Sequence, residues 1–403
     1  MTIASFIPSV TGLNAMSHAQ QTVAENISNM NTTGYKQNET LFHTLLGSSG
    51  LNVGAQSGLA SSKTSILGVN TYDRTNISVE GLVKPTGNTF DVALSGKSNA
   101  FFELDDGYGT IYYTRAGDFT RLTQDGTTYL VSNGGLFVQG FKSLDGTNNF
   151  SSTTSDIVID ATQTIPQKET TEASIVANVP ANDVDSNIYA IRIYSDNYDG
   201  ANLNMIFKKN LDKENFWNLS FELEDGVAIG DVTEVVFNTD GTLKSPDKVT
   251  TSIQWNDGST SSVVIDISGM TQYAGSSQIA NIEQNGWPSG TLMNLAFDKN
   301  GVLKAHYDNG HDFNIAKLAV VGFTAPENLL PYNTTLFEAT GEVGNSFFVD
   351  TDNLIAPESL ESSTVDLAAE FSQMILVQRA YNLNSRSFTV NDEMLSLLVD
   401  LKS

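Results

Sequence analysis

The 403-residue sequence contains no cysteine, which excludes disulfides and thiolate metal sites and leaves packing as the source of stability. Positive charge is scarce: 21 Lys and Arg stand against 46 Asp and Glu, a formal charge of −25, and such a surface repels nucleic-acid phosphate and anionic bilayers. No run of 18 apolar residues offers a membrane span. Apart from His18 the first basic residue is Lys36, so the start lacks the positive segment of a secretory leader. These absences predict no nucleic-acid partner, no membrane insertion and, for any passage out of the cell, a specialised route. No GxGxxG, Walker or GxSxG pattern is found, so no phosphate cradle or nucleophile elbow is predicted.

With 40% hydrophobic residues the chain is long enough for two to four domains, each with its own core. Its carboxyl end carries the clearest pattern. Steps of four and three from Leu367 give Leu367, Phe371, Met374, Gln378, Tyr381, Ser385, Phe388, Asp392, Leu395 and Val399. That is a coiled-coil seam with one dry column and one polar column, the latter Gln378, Ser385 and Asp392. Ser363 and Thr364 supply hydroxyls for an amino-terminal cap, and Asp366 a carboxylate for the positive helix end. At the other end Phe6, Ser9, Leu13, Met16, Gln20, Val23, Ile27 and Met30 follow the same spacing, on a helix from about Ser5 or Ser9 to Asn29. Periodicity alone leaves two readings open: ordinary helices on a globular core, or ends that pair with each other and with copies of themselves. Beyond Asn26, the residues Asn29, Asn31 and Gly34 then stop the helix and deliver Tyr35 at a fixed place.

Between these ends the texture is β. The Gly- and Ser-rich segment from Leu46 to Ser65 reads as a linker, with Leu51, Val53 and Leu59 ordered against neighbours. From Tyr72 to Phe141 short alternating runs are broken by turn residues. Seven Asp-Gly and four Asn-Gly dipeptides, all between Asp106 and Gly310, mark hairpins. Residues of about 147 to 286 carry further strands, among them IYAIRIYS, FWNLSFEL and SSVVIDIS, suited to a sandwich or barrel inserted at a loop tip. In HYDNGHD, His306, Asp308, His311 and Asp312 lack a metal-ligand spacing and read as a polar hairpin tip. DNYDG from Asp196 reads as a turn, because it lacks a calcium loop's alternating ligands and closing Glu.

Several stretches carry a resemblance. GLNAMSHAQQTVAENISNMNTTGYK resembles the amino-terminal signature of the axial proteins of the bacterial flagellum, the rod, hook and hook-associated subunits. VDLAAEFSQMILVQRAYNLNSRSFTVNDEMLSLLVDL is similar to that family's carboxyl-terminal signature. TGNTFDVAL and YTRAGDFTRLTQDGTTYLVSNGGLFVQGF look like the first β-domain of rod and hook subunits, with a longer link at SGKSNAFFEL. Chain length and the large insert point to the flagellar hook protein (FlgE) family.

The expected fold is multidomain, with a mainly β middle between α-helical, coiled-coil-like N- and C-terminal segments. Residues 1–71 form the first helix and linker, and 72–146 and 287–361 the halves of a discontinuous β-domain. Residues 147–286 form the inserted β-sandwich or barrel, and 362–403 the last helix.

The resemblance implies a structural subunit of a helical homopolymer that acts as a universal joint, passing motor torque from rod to filament outside the cell. Implied partners are further copies of itself, the distal rod protein, the hook-cap protein during assembly, the hook-filament junction protein and the flagellar type III export apparatus. No catalytic residue, cofactor or metal is expected. Self-assembly falls to Phe6, Leu13, Met16, Val23, Ile27 and Met30 on the first helix, and to Leu367, Phe371, Met374, Tyr381, Phe388, Leu395 and Val399 on the last. Alternatives are a distal-rod or other hook-associated axial subunit and, from another class, a secreted β-rich adhesin or binding protein.

Overall fold

The computed structural model describes residues 6–46, 66–159, 164–182, 185–197, 200–224 and 226–400. The linker residues Leu51, Val53 and Leu59 lie outside them. The chain divides into two compact units, Met1–Asp160 with Leu295–Lys304 and Phe313–Ser403, and Ala161–Asn294 with Ala305–Asp312.

In the first unit, α1 (Ile7–Ser28) is followed by an antiparallel hairpin of β1 (Asn38–Leu46) and β2 (Ile66–Thr75), and α2 (Leu367–Asp400) comes last. Pro8 falls in the first turn of α1, where its missing N–H costs no hydrogen bond. The β-domain is built from two distant stretches of chain. Strand Ala100–Asp105 pairs with Ile111–Thr114, with Phe137–Lys142 and with Val320–Phe323. Val92–Leu94 pairs with Ile355–Pro357, and Val83–Pro85 with Ser359–Glu361. One core gathers Ile77, Phe101, Val321, Phe323, Leu329, Phe337 and Val343 from both stretches. Residues 147–160 belong to this unit: Ser155–Asp156 adds to the edge of Phe137–Lys142, and Ile157 is buried and bonded to Val138 and Leu130.

The second unit is a β-sandwich of two five-stranded sheets. One orders Gly226–Ile229, Lys248–Trp255, Thr260–Asp266, Glu172–Asn178 and Gln278–Gln284, and the other Asn187–Ile193, Ala201–Lys209, Phe216–Leu223, Thr233–Phe237 and Leu243–Ser245. Burial alternates along Asn187–Ile193 and Lys248–Trp255, as period-two side chains require when one face is dry. Tyr189, Ile191, Leu203, Met205, Phe207, Trp217, Ile253 and Trp255 fill the space between the sheets. The Asp-Gly and Asn-Gly signals mark real turns. Nine of those eleven glycines have positive φ: Gly107, Gly126, Gly146, Gly200, Gly226, Gly241, Gly258, Gly301 and Gly310.

Candidate assembly interface

The two helices pack against each other antiparallel. Ser9 Oγ lies 3.3 Å from Ser387 Oγ, Gly12 faces the Asn384 amide, and Asn26 Nδ2 donates to Glu370 Oε1 at 3.0 Å. Phe6 meets Phe388 edge to face, with ring centroids 5.2 Å apart. The buried face of α1 consists mostly of small or polar residues: Ser9, Gly12, Ala15, Ala19, Thr22, Val23 and Asn26. Small residues let helix axes approach closely. A Cβ on Gly12 would already sit 3.0 Å from the Asn384 carboxamide.

This contact shifts the expected seam. The dry column is partly sheltered, with Met374 and Leu395 half-buried, Phe388 37% exposed and Tyr381 40% exposed. The second column falls one residue earlier than the spacing predicts, on Glu370, Val377, Asn384 and Asn391. Phe371, Gln378 and Asp392 are exposed, and Ser385 is half-buried. On α1, Val23 is buried, Phe6, Leu13, Met16 and Ile27 are half-buried, and Met30 is exposed. Leu367 is half-buried, and the Val399 side chain lies outside the described residues. Apolar periodicity finds large side chains, whereas the contact inside this chain is made largely by small ones.

The large apolar residues are therefore left outward. Leu376, Leu383, Val390 and Leu397 recur every seven residues along α2 and are 54–66% exposed. Phe371, Ile375 and Met394 flank them, also exposed.

The start of α2 is capped by Asp366, whose Oδ1 accepts the N–H groups of Ala368 at 2.8 Å and Ala369 at 3.3 Å. The hydroxyls predicted to cap serve elsewhere. Thr364 Oγ1 accepts the Gln37 N–H at 2.9 Å, and Ser363 Oγ accepts from Val365. The carboxylate next to the helix has the better reach and also meets the helix dipole.

A polar node ties both helices to the turn between α1 and β1. Asn26 Oδ1 accepts from Tyr35 Oη at 3.0 Å and from the Asn38 N–H at 3.0 Å, while its Nδ2 also donates to Asn38 O at 2.8 Å. Gln37 Nε2 donates to Glu370 Oε1 at 2.6 Å. Burial, helped by Glu25 and Glu370, pushes the Tyr35 hydroxyl up to about 12. Gly34 has φ +67°, and a Cβ there would lie 2.5 Å from Ala116 N, so only glycine fits. Asn29 ends α1 with its Nδ2 donating to Glu25 O, and Asn31 is exposed.

One step further lies a buried ion triad that sequence reasoning missed. Glu361 Oε1 accepts from Lys36 Nζ at 2.6 Å and Oε2 from Arg115 Nε at 2.8 Å, with all three side chains at most 1% exposed. The Gly81 N–H also donates to Glu361, and Arg115 Nη1 donates to Lys97 O and Ala100 O. Burial pushes the Glu361 carboxyl up, but Arg115 and Lys36 outweigh it and hold it below the usual range. For Lys36 burial wins over the pull of Glu361, and the ammonium is held below its usual value. The triad joins the turn after α1, the β-domain and the strand leading to α2.

The β1–β2 hairpin was also missed, because the helix-and-linker reading ran through it. It packs on α1 through Asp73, which accepts from Thr22 and Thr40 and pairs with His18 Nε2 at 2.9 Å. Enrichment in Leu, Phe, Tyr and Thr was the available signal. In HYDNGHD the groups turn to separate partners: His306 Nδ1 meets Asp312 Oδ1 at 2.6 Å, His311 stacks on Trp287, and Asp308 accepts from Thr291. Among the described residues no group of three His, Asp or Glu is arranged to hold a metal.

Helical ends joined across a nested β-domain that carries a sandwich define a flagellar axial protein, and four family models agree. They match residues 9–36 (flagella basal body rod protein), 94–178 (flagellar hook protein FlgE/F/G D1 domain), 159–287 (flagellar basal body protein FlaE D2 domain) and 356–401 (flagellar basal body rod FlgEFG protein C-terminal). The flagellar hook protein FlgE of Rhizobium meliloti is 31% identical over 432 residues, covering 98% of this chain and 97% of that one. That of Salmonella typhimurium is 26% identical over 427 residues, covering 99% of this chain and 100% of that one. The chain belongs to the flagellar hook protein FlgE family. The crystal structure of Helicobacter pylori flagellar hook protein FlgE2 shares the fold, with a TM-score of 0.54 at 14% identity over 69% of this chain and 99% of that one.

Proposed function

We propose that the chain is the structural subunit of the flagellar hook, polymerising with copies of itself through the outward faces of α1 and α2. The observation that carries this reading is the column Leu376, Leu383, Val390 and Leu397, exposed on a helix whose other face α1 already occupies. Covering each of these side chains contributes about 1.5–3 kcal/mol, so a neighbour seated along the column gains enough to order both helices. The role is mechanical, with no catalytic step. Family membership supports a place outside the cell in the flagellum, between the distal rod protein and the hook-filament junction protein. It also supports export through the flagellar type III apparatus and growth under the hook-cap protein. Buried helical seams give the tube torsional stiffness, while polar β-units touch through contacts that water replaces, so the tube bends as a universal joint.

The test replaces Leu383 with Glu in the full chain. The single chain should keep its far-ultraviolet circular dichroism and melting temperature, since Leu383 is 66% exposed, yet form no tubes visible by electron microscopy under conditions that polymerise the parent. Tubes of unchanged yield and shape would overturn the proposal.

A further inference from the structure

The chain has four Asn-Gly pairs, at Asn133, Asn285, Asn300 and Asn309. In this dipeptide the following amide nitrogen reaches the asparagine side chain most easily, because glycine has no Cβ to block it. The fold treats the four differently. Asn285 Oδ1 accepts the N–H groups of Thr171 and Glu172, both at 3.0 Å, and its Nδ2 donates to Thr171 Oγ1 at 2.8 Å. Asn300 Oδ1 accepts the Asn353 N–H at 3.2 Å, while the Gly301 N–H donates to Asp298 O at 3.0 Å. Asn309 Oδ1 accepts from His311 and its Nδ2 donates to Pro288 O, while the Gly310 N–H donates to Tyr307 O at 3.1 Å. In each of these the carboxamide, the attacking nitrogen or both are held.

Asn133 stands apart. It sits, exposed, at the tip between strands Thr127–Ser132 and Phe137–Lys142, and Gly134 beside it is exposed too. Among the described residues no acceptor faces the Gly134 N–H, and a Cβ on Gly134 would meet only Ser132 Oγ, at 3.7 Å. The turn is held around this peptide rather than through it: Gly135 N–H donates to Ser132 O at 2.9 Å and Ser132 N–H to Leu136 O at 2.8 Å. The Asn133 side chain makes one long bond, from Nδ2 to Asp118 Oδ2 at 3.3 Å.

We propose that Asn133 is a site of spontaneous deamidation, the one Asn-Gly pair of four that the folded chain leaves reactive. Water takes the Gly134 amide proton, and the nitrogen attacks Asn133 Cγ. The Cγ–Nδ2 bond breaks, ammonia leaves with a proton, and a five-membered imide remains. A second water adds to one imide carbonyl, breaking a C–N bond and leaving aspartate or isoaspartate at 133. Water returns that proton to the departing nitrogen, which Asp118 Oδ2 holds by accepting from Nδ2. The product sets a second carboxylate against Asp118, at the rim of a cleft of about 300 Å³ also lined by Thr33, Thr114 and Asn333. This inference is independent of the assembly reading.

The experiment holds the full-length chain in mildly alkaline buffer and follows the four peptides by mass spectrometry. In the folded chain Asn133 should convert about tenfold or more ahead of Asn285 and Asn309, since each hydrogen bond that must break first slows the reaction by about fivefold. In denaturant the four should converge, and Gly134→Ala should slow conversion at Asn133 alone. Equal rates in the folded chain, or a Gly134→Ala chain that converts as fast as the parent, would overturn the proposal.

Discussion

Glu361 ties together distant parts of the fold, because two cations and a backbone N–H converge on it in a place water does not reach. Replacing it with Gln leaves Lys36 and Arg115 as unpaired buried charges, and the loss should be about 3–5 kcal/mol by urea unfolding. A loss within the range of surface substitutions would refute this. The same carboxylate sets an acid limit. Its pKa is lowered on folding, so its stabilisation is complete above the ordinary carboxylate value of 4.5 and is lost as pH falls below it. Tyr35 sets the opposite limit: its hydroxyl is raised from 10.0 to about 12, so its contribution is intact below 10.0 and disappears as pH climbs to about 12. Tyr113, raised likewise to about 12 by burial, acts in the same window. Tyr35→Phe should therefore give a shallower alkaline loss of stability than the parent, and equal slopes would count against the assignment. At this scale Gly34 and Tyr35 were legible, since a left-handed stop and the residue after it are local features. The triad was not, because Glu361 lies 325 residues from Lys36 and 246 from Arg115, and spacing says nothing about such partners.

Among the elements, the helix pair shows what apolar periodicity can and cannot give. The column Met374, Tyr381, Phe388 and Leu395 stands out in the sequence because its side chains are large and recur every seven residues, yet Tyr381 and Phe388 stay exposed. Its companion does not stand out, since Ser9, Gly12, Ala15 and Ala19 pack by being small and leave no hydrophobic signal. Gly12→Leu tests the contact. It drives a branched side chain into the Asn384 amide, and overpacking of this kind costs about 1–3 kcal/mol. The helical signal should melt earlier than in the parent, whereas Val10→Leu, on an exposed position of the same helix, should not move it. Parallel behaviour of the two variants would argue against close packing at Gly12. Strands of the second unit were legible for the opposite reason: alternation along Asn187–Ile193 and Lys248–Trp255 is a local pattern that one dry face enforces. The β1–β2 hairpin escaped because its strands are separated by a long intervening segment rather than by a tight turn.

In the whole molecule, the helical ends are fastened unevenly. The first turn of α2 is pinned through Glu370 to Asn26 and Gln37, whereas from Phe388 onward most side chains face solvent. Limited proteolysis of the dilute chain should therefore cut α2 beyond Phe388 well before it cuts between Leu367 and Val377. The reverse order by mass spectrometry would contradict the pinning, because opening costs least where fewest contacts must be broken. The partners in this fastening are far apart along the chain, with Asn26 and Glu370 separated by 344 residues. A ribosome making this protein must deliver nearly everything before the helix pair can close. Until then the first helix travels without its mate, and the pair that joins the two ends of the chain is the last part of the molecule to mature.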